Sequence, residues 1–287
     1  MKQCLILILL GCLNLSAAQP AAPTYLQSGR DLLKQAEKIV YKETPQENLC
    51  LYLLRPQGKT THPLPAIIYF TGGGWVKGTP DGMIPNAAWF RDQGIIGISA
   101  DYRVKNRHGT TPLECVKDGK SAIRYVRAHA RELGVDPDHI IAACGSAGGQ
   151  VAAATVLPGN DETNEDLNVS SRANALVLHN PVLGSGEPFF SIHPECSPLA
   201  GVRTGWPPTI LSCGTLDHTI PYAAAVEFCQ KMKSAGNVCE LISITNAGHS
   251  CDYPATNTNF PPTMTRMAGF LRAQGVIPQA SAKANEL

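Results

Sequence analysis

Ile140-Ile141-Ala142-Ala143-Cys144-Gly145-Ser146-Ala147-Gly148-Gly149 is the stretch on which the rest of the sequence turns. Ile140 to Cys144 is a short apolar run of buried-strand length. Ser146 to Val156 is rich in Ala and reads as a helix. Ser146 therefore stands between a strand and a helix. A sharp corner there lifts a serine hydroxyl out of the sheet and aims the next backbone N–H at a developing oxyanion. Such a turn needs small neighbours, and Gly145, Ala147, Gly148 and Gly149 meet that need. The pattern G-x-S-x-G is not fully kept, because Cys144 stands at its first glycine. Taken alone, the stretch also fits a glycine-rich loop that binds an anion at a helix N-terminus.

The surrounding segments set the fold. Asn48 to Arg55 alternates like a strand, Ala66 to Phe70 ends at glycines, and Ile95 to Ala100 is a buried-strand run. Ala175 to Leu178, Thr209 to Cys213 and Cys239 to Ile244 are further strands. Gln27 to Ile39 reads as a short leading helix, and Pro112 opens a helix to about Leu133. Tyr222 to Ser234 and Pro262 to Ala273 are helices as well. Strands alternating with helices predict an α/β fold, a mostly parallel central sheet with helices on both faces. No repeat or linker divides the chain, so a catalytic domain is expected over residues 39–275. An extension with a short helix would precede it at 19–38, and a polar, flexible tail would follow at 276–287.

Upstream, Pro65 to Phe70 runs into Thr71-Gly72-Gly73-Gly74-Trp75. Alone, a glycine run is equally consistent with a flexible turn. Followed by a serine corner, it reads as a set of backbone donors for an oxyanion. Each such donor is worth roughly 3–4 kcal/mol of transition-state stabilisation.

Together, Thr71 to Trp75 and Cys144 to Gly149 resemble the hormone-sensitive-lipase-like branch of the α/β-hydrolases. The likeness is stronger still to bacterial carbohydrate-esterase and feruloyl-esterase-like members. Ser99-Ala100-Asp101-Tyr102-Arg103 and Ala122-Ile123-Arg124-Tyr125-Val126-Arg127 add to the match, which runs from about Ile39 to Leu271. The resemblance implies an α/β-hydrolase fold and oxyanion N–H groups from Gly73, Gly74 and Ala147. The family usually carries a loop-organising His where Thr71 stands, and the Thr hydroxyl is expected to take part of that role.

An esterase needs a base for the serine proton and a carboxylate that holds the base in the right tautomer. In this fold the order is Ser, acid, His. Of the eight His, only His218 and His249 follow the strand at Thr209 to Cys213. His249, in Asn246-Ala247-Gly248-His249-Ser250, comes just after the last strand, and Asp217 just after the strand before it. Ser146, Asp217 and His249 are thus the expected nucleophile, acid and base, with Asp252 as the reserve carboxylate. Singly, Asp217 fits a helix cap and His249 a solvent-exposed loop residue. Asp101 and Arg103 are expected to form an ion pair beneath the oxyanion loop, and Asp118 to be an ordinary helix-surface or N-terminal charge.

Val182 to Pro208 holds five Pro and few helical signals, so no large lid is expected over the site. Trp75, Phe189, Phe190 and Trp206 are candidates to line an open site, or simply to pack. An open site suits a small soluble ester or an acetylated or feruloylated carbohydrate. Two alternatives stand beside a carboxylesterase: a prolyl-oligopeptidase-like peptidase, and a non-catalytic binding protein of the same fold.

Charge and cysteine content narrow the partners. With 24 basic and 23 acidic residues and no basic run, nothing marks a nucleic-acid footprint. After residue 20 no stretch is apolar enough for a transmembrane helix. Lys2, Leu5 to Leu10 and Ser16-Ala17-Ala18 read as a signal peptide over residues 1–18, for a secreted or periplasmic protein. The alternatives are a lipoprotein anchored at Cys12 and a buried first helix. Eight cysteines follow: Cys50, Cys115, Cys144, Cys196, Cys213, Cys229, Cys239 and Cys251. Export permits disulfides, and Cys229 with Cys239 is the first candidate pair. No CxxC pair or close His/Cys cluster suggests a metal, and a self-sufficient triad calls for no cofactor.

Overall fold

A computed structural model of the chain describes residues 23–58, 60–184, 188–253 and 257–279. The segment expected to be a signal peptide, with Cys12, and the tail from 280 onward lie outside the described residues. The chain opens with α1 (Gly29–Gln35), β1 (Glu37–Glu43), β2 (Asn48–Leu54) and β3 (Leu64–Phe70). Then come α2 (Ile84–Arg91), β4 (Ile96–Ala100), α3 (Lys105–His108), α4 (Pro112–Ala128) and α5 (Ala130–Leu133). β5 (Val135–Gly145), α6 (Ser146–Ala154), β6 (Ala175–His179) and α7 (Pro188–Ile192) follow, and β7 (Thr209–Gly214), α8 (Tyr222–Ser234), β8 (Cys239–Ile244) and α9 (Phe260–Ala273) close the chain.

The eight strands form one sheet in the order β1-β2-β4-β3-β5-β6-β7-β8. β1, β2 and β4 pair antiparallel, and every pairing from β4 to β8 is parallel. β3, β4, β6 and β7 are buried along their whole length. That explains their unbroken apolar runs, since a parallel sheet is covered on both faces. A Cβ built on Gly97 would strike the Ala87 carbonyl of α2, so Gly97 faces α2. Phe70 lies instead against Gly119 of α4. Gly97 pairs with Ile67, three residues before Phe70, so α2 and α4 cover opposite faces.

Four expectations are corrected by the fold. The leading helix stops at Gln35, where Ala36 turns extended, and Glu37 begins an edge strand paired with β2. Leu32, Leu33, Ala36 and Ile39 share helical spacing, which hid the switch. The helix from Pro112 breaks at His129 (φ −101°, ψ 18°) and leaves only a short turn of helix to Leu133. Arg103 pairs with Asp118 and not with Asp101. Its Nε and Nη2 donate to the two Asp118 oxygens at 2.8 and 2.7 Å, and Lys42 Nζ adds a bond of 2.6 Å. Asp101 pairs with Arg107 instead, at 2.7 Å. Asp118, fully buried on α4, is therefore no surface charge.

This network carries the segment after β4, on which the glycine loop leans. Lys105 N–H donates to the Trp75 carbonyl at 3.0 Å, and the Tyr102 hydroxyl donates to the Thr71 carbonyl. Removing one partner of a buried ion pair strands the other charges and costs about 3–5 kcal/mol. Asp118→Ala should lower the unfolding free energy by about that amount. Urea denaturation followed by circular dichroism checks it, and a loss below 1 kcal/mol would show the network to be a surface pair in disguise.

Candidate active site

Ser146 is the first residue of α6 and adopts φ 56°. A side-chain-bearing residue in this left-handed region is strained by roughly 1–3 kcal/mol, so neighbours must hold it. Its N–H donates to the Asn180 carbonyl at 3.1 Å, and its carbonyl accepts from Val182 N–H at 3.0 Å. Both bonds tie the corner to the end of β6. A Cβ on Gly148 would overlap Cys144 Sγ and lie 2.7 Å from the carbonyl oxygens of Phe70 and Thr71. Cys144 is thus accommodated at the first motif position because position 148 has no side chain. Burial pushes its thiol pKa upward, so it stays protonated and packs as a small apolar group.

The glycine loop lies beside this corner. A Cβ on Gly72 would sit 3.3 Å from Ser146 Cβ. Gly73, Gly74 and Trp75 all have positive φ, at 127°, 64° and 60°. The Gly73 carbonyl turns inward to accept from Val76 and Lys77 N–H. Among the described residues, the N–H groups of Gly73 and Gly74 donate to no protein acceptor. Ala147, in the first turn of α6, likewise has no intrahelical partner for its N–H. Thr71 anchors the loop through its hydroxyl, which donates to the Thr79 carbonyl at 2.8 Å.

Asp217 and His249 lie past the C-terminal ends of β7 and β8, which are parallel neighbours. Leu216 N–H donates to the Ala247 carbonyl, and Asn246 N–H to Thr215 Oγ1, both at 2.9 Å. These bonds clamp the two loops together. His249 Nδ1 then donates to Asp217 Oδ2 at 2.8 Å. Asp217 Oδ1 accepts from Thr219 and Ile220 N–H at 2.8 and 2.9 Å, which fixes the carboxylate; these are turn residues ahead of α8, whose N-cap is Pro221, so Asp217 is not the helix cap its position also suggested. With Nδ1 occupied as donor, Nε2 is left as the basic nitrogen. Asp217 is buried while Ser146 and His249 are half-buried, so the serine and the imidazole meet solvent and the carboxylate does not. His218 is exposed. Asp252 is fully buried and bonded to His179, not to His249.

Trp75, Phe189 and Phe190 form one aromatic cluster, with centroids 5.9 Å (Trp75–Phe189) and 5.2 Å (Phe189–Phe190) apart. Trp75 Nε1 donates to Gln150, one turn beyond Ser146 on α6, at 3.1 Å. Trp206 belongs elsewhere: it is buried against Phe228 in the core, 5.7 Å between centroids. The eight described cysteines are buried free thiols. Cys229 Sγ points to the Cys239 carbonyl at 3.5 Å rather than closing the expected bridge.

The BD-FAE family model matches residues 51–183. Solved structures of Thermogutta terrifontis esterase 2 superpose with TM-scores of 0.82 (phosphoramylated by tabun) and 0.80 (butyrate bound). Identity is 38% and 37%, over 86% of this chain and 97% and 96% of theirs. This chain belongs to the α/β-hydrolase esterases. Esterase LipQ of Mycobacterium tuberculosis is 28% identical over 77% of this chain and 58% of its own. The probable isoprenylcysteine alpha-carbonyl methylesterase ICMEL1 of Arabidopsis thaliana is 27% identical over 74% and 50%. The chain therefore spans little more than half the length of these curated relatives. Among the described residues no large lid covers the site. Among the described residues, Val182 to Pro208 contributes only α7 and a 3₁₀ turn at Pro194–Cys196.

Two substitutions test this geometry. Asp217→Asn keeps the shape but inverts the tautomer preference of His249, so kcat for ester hydrolysis should fall by about 10⁴-fold with the fold intact. Gly148→Ala should abolish activity by opening the corner, while Gly269→Ala, on α9 with open space around it and an ordinary helical backbone, should not. Equal activity of the two alanine variants would sink this account of the corner.

Proposed function

We propose that the chain is an exported serine carboxylesterase that deacylates small soluble esters by acyl-enzyme chemistry. The observation that carries it is the strained Ser146 corner beside the glycine loop, together with the hydrogen-bonded Asp217–His249 pair. In this reading Ser146 Oγ attacks the ester carbonyl as His249 Nε2 takes its proton. Gly73, Gly74 and Ala147 N–H groups hold the oxyanion. The tetrahedral intermediate collapses, His249 returns the proton to the departing alcohol, and the acyl group stays on Ser146. Water then repeats the sequence through the same base and releases the carboxylic acid.

The substrate is proposed to be an acetylated carbohydrate, with feruloylated carbohydrate or another small ester as the related cases. An uncapped site admits a bulky alcohol. Esterase 2 of Thermogutta terrifontis has been solved with propionate and with butyrate, which favours a short acyl group. The Trp75–Phe189–Phe190 cluster offers aromatic faces on which a sugar or an aromatic acyl ring can stack. Export is proposed from Lys2, the apolar Leu5 to Leu10 and the small residues before Gln19.

The protein from Gln19 onward should hydrolyse 4-nitrophenyl acetate, and Ser146→Ala should lose roughly 10⁶-fold in kcat. Acetylated xylan and feruloyl sugars then separate the acyl classes. A folded wild type inert on every ester would favour the non-catalytic binding protein.

A further inference from the structure

A second polar set lies beneath the triad, out of reach of solvent. His179 ends β6, Ser212 is its registered neighbour on β7, and Asp252 follows His249 by three residues. All three are fully buried. His179 Nδ1 donates to Asp252 Oδ2 at 2.8 Å, and the Ser212 hydroxyl donates to the same oxygen. The Tyr69 ring stacks on His179, 6.1 Å between centroids, and the Tyr253 ring meets it edge-on at 6.5 Å.

Such a set is expensive. Burial raises the Asp252 pKa, but His179 and Ser212 together hold it below the usual carboxylate range, so the carboxylate stays ionised. Apolar side chains of similar volume would fill the space without that desolvation cost. The set is not a second active site. Its serine donates to the carboxylate rather than to a free imidazole nitrogen, and no substrate reaches it.

Its place in the fold shows what it can do. Asn180, next to His179, accepts from the Ser146 N–H, and its own N–H donates to the Ser212 carbonyl at 2.8 Å. Ser212 lies five residues before Asp217 on the same strand end. Tyr253, beside Asp252, presses its hydroxyl on Gly145, where any Cβ would overlap it. The three buried residues therefore join the backbone segments that carry Ser146, Asp217 and His249. The His249 loop needs such a fastening, because Asn246 and Ser250 both hold positive φ, at 56° and 59°.

We propose that His179 and Asp252, with Ser212, are positioning residues for ester hydrolysis. They pin the segment after His249 to the sheet, and so hold its imidazole where it can take the Ser146 proton. The proposal rests on the serine-esterase reading above.

The experiment compares wild type, Asp252→Leu, Asp252→Asn and His179→Phe on 4-nitrophenyl acetate, well below each melting temperature. The rate of Ser146 labelling by a fluorophosphonate is measured alongside. Asp252→Leu should lose roughly 100-fold in kcat with KM within about twofold, the scale of a small misplacement at the reacting atoms. Labelling should slow in parallel. Asp252→Asn, whose amide oxygen can still accept from His179, should recover most of the loss. If Asp252→Leu does not fold, His179→Phe carries the same expectation, since it removes the donor and keeps an aromatic ring. Unchanged kcat and labelling in a folded variant, a change confined to KM, or no recovery in Asp252→Asn would overturn the proposal. An inactive wild type would instead overturn the esterase reading, which the Ser146→Ala control distinguishes.

Discussion

The backbone at Ser146 must leave β5 and enter α6 within one residue, and it does so at φ 56°. No side chain makes that conformation cheap. It persists because everything around it is already committed: β5 is central in the sheet, α6 is buried from Ala147 to Ala154, and the end of β6 bonds to both the N–H and the carbonyl of Ser146. Relaxing the corner would break those bonds and drive Gly148 from its contact with Cys144, Phe70 and Thr71. Strain of this kind aims the hydroxyl away from the sheet and leaves the next N–H free.

The same logic distributes costly groups across the molecule. The middle strands are buried throughout and mostly apolar, and they supply the hydrophobic free energy. Polar and ionised groups gather past their C-terminal ends, where loops from different strands must be held in register. Arg103, Asp118, Lys42 and Glu162 brace the segment that supports the glycine loop. Asp217 accepts two backbone N–H bonds as well as the His249 bond. In the proposed reaction a preorganised carboxylate of this kind would not reorganise as charge appears on the imidazole, so its cost at rest would lower the barrier.

How much of this was legible in the sequence depends on the range of the interaction that decided each element. Tyr222 to Ser234 and Cys239 to Ile244 were read to the residue, because their periodicity and flanking turns are local. The mostly parallel sheet followed from alternation, and the catalytic candidates from their places at strand ends. Glu37 to Ile39, the start of β1, were read as helix because four apolar residues at helical spacing span the α1–β1 break, and an edge strand with mostly exposed side chains carries little pattern of its own. Asp118 was read as a surface charge because its partners, Arg103 and Lys42, are brought to it only by the folded sheet. His179, a lone His at the end of an apolar run, gave no signal. Its partner Asp252 lies 73 residues away and was weighed only against His249.

Cys144 shows why a motif departure need not break a site. The motif asks for glycine at two positions because two Cβ groups cannot share the space where β5 meets α6. This chain keeps Gly148 and spends that space on one sulfur instead, which also touches the Gly145 carbonyl at 3.2 Å. Thr71 follows the same rule, since the loop needs an anchor and its hydroxyl reaches the Thr79 carbonyl. What the fold constrains is the sum of volumes and bonds at the corner, not the identity of each residue. The buried His179–Asp252 pair extends this from volume to charge. A sheet that could have been sealed with apolar side chains carries a carboxylate at the one place where the loops of serine, acid and base come within reach of the same two strands. A directional bond there fixes a loop in a way that non-directional apolar contact cannot.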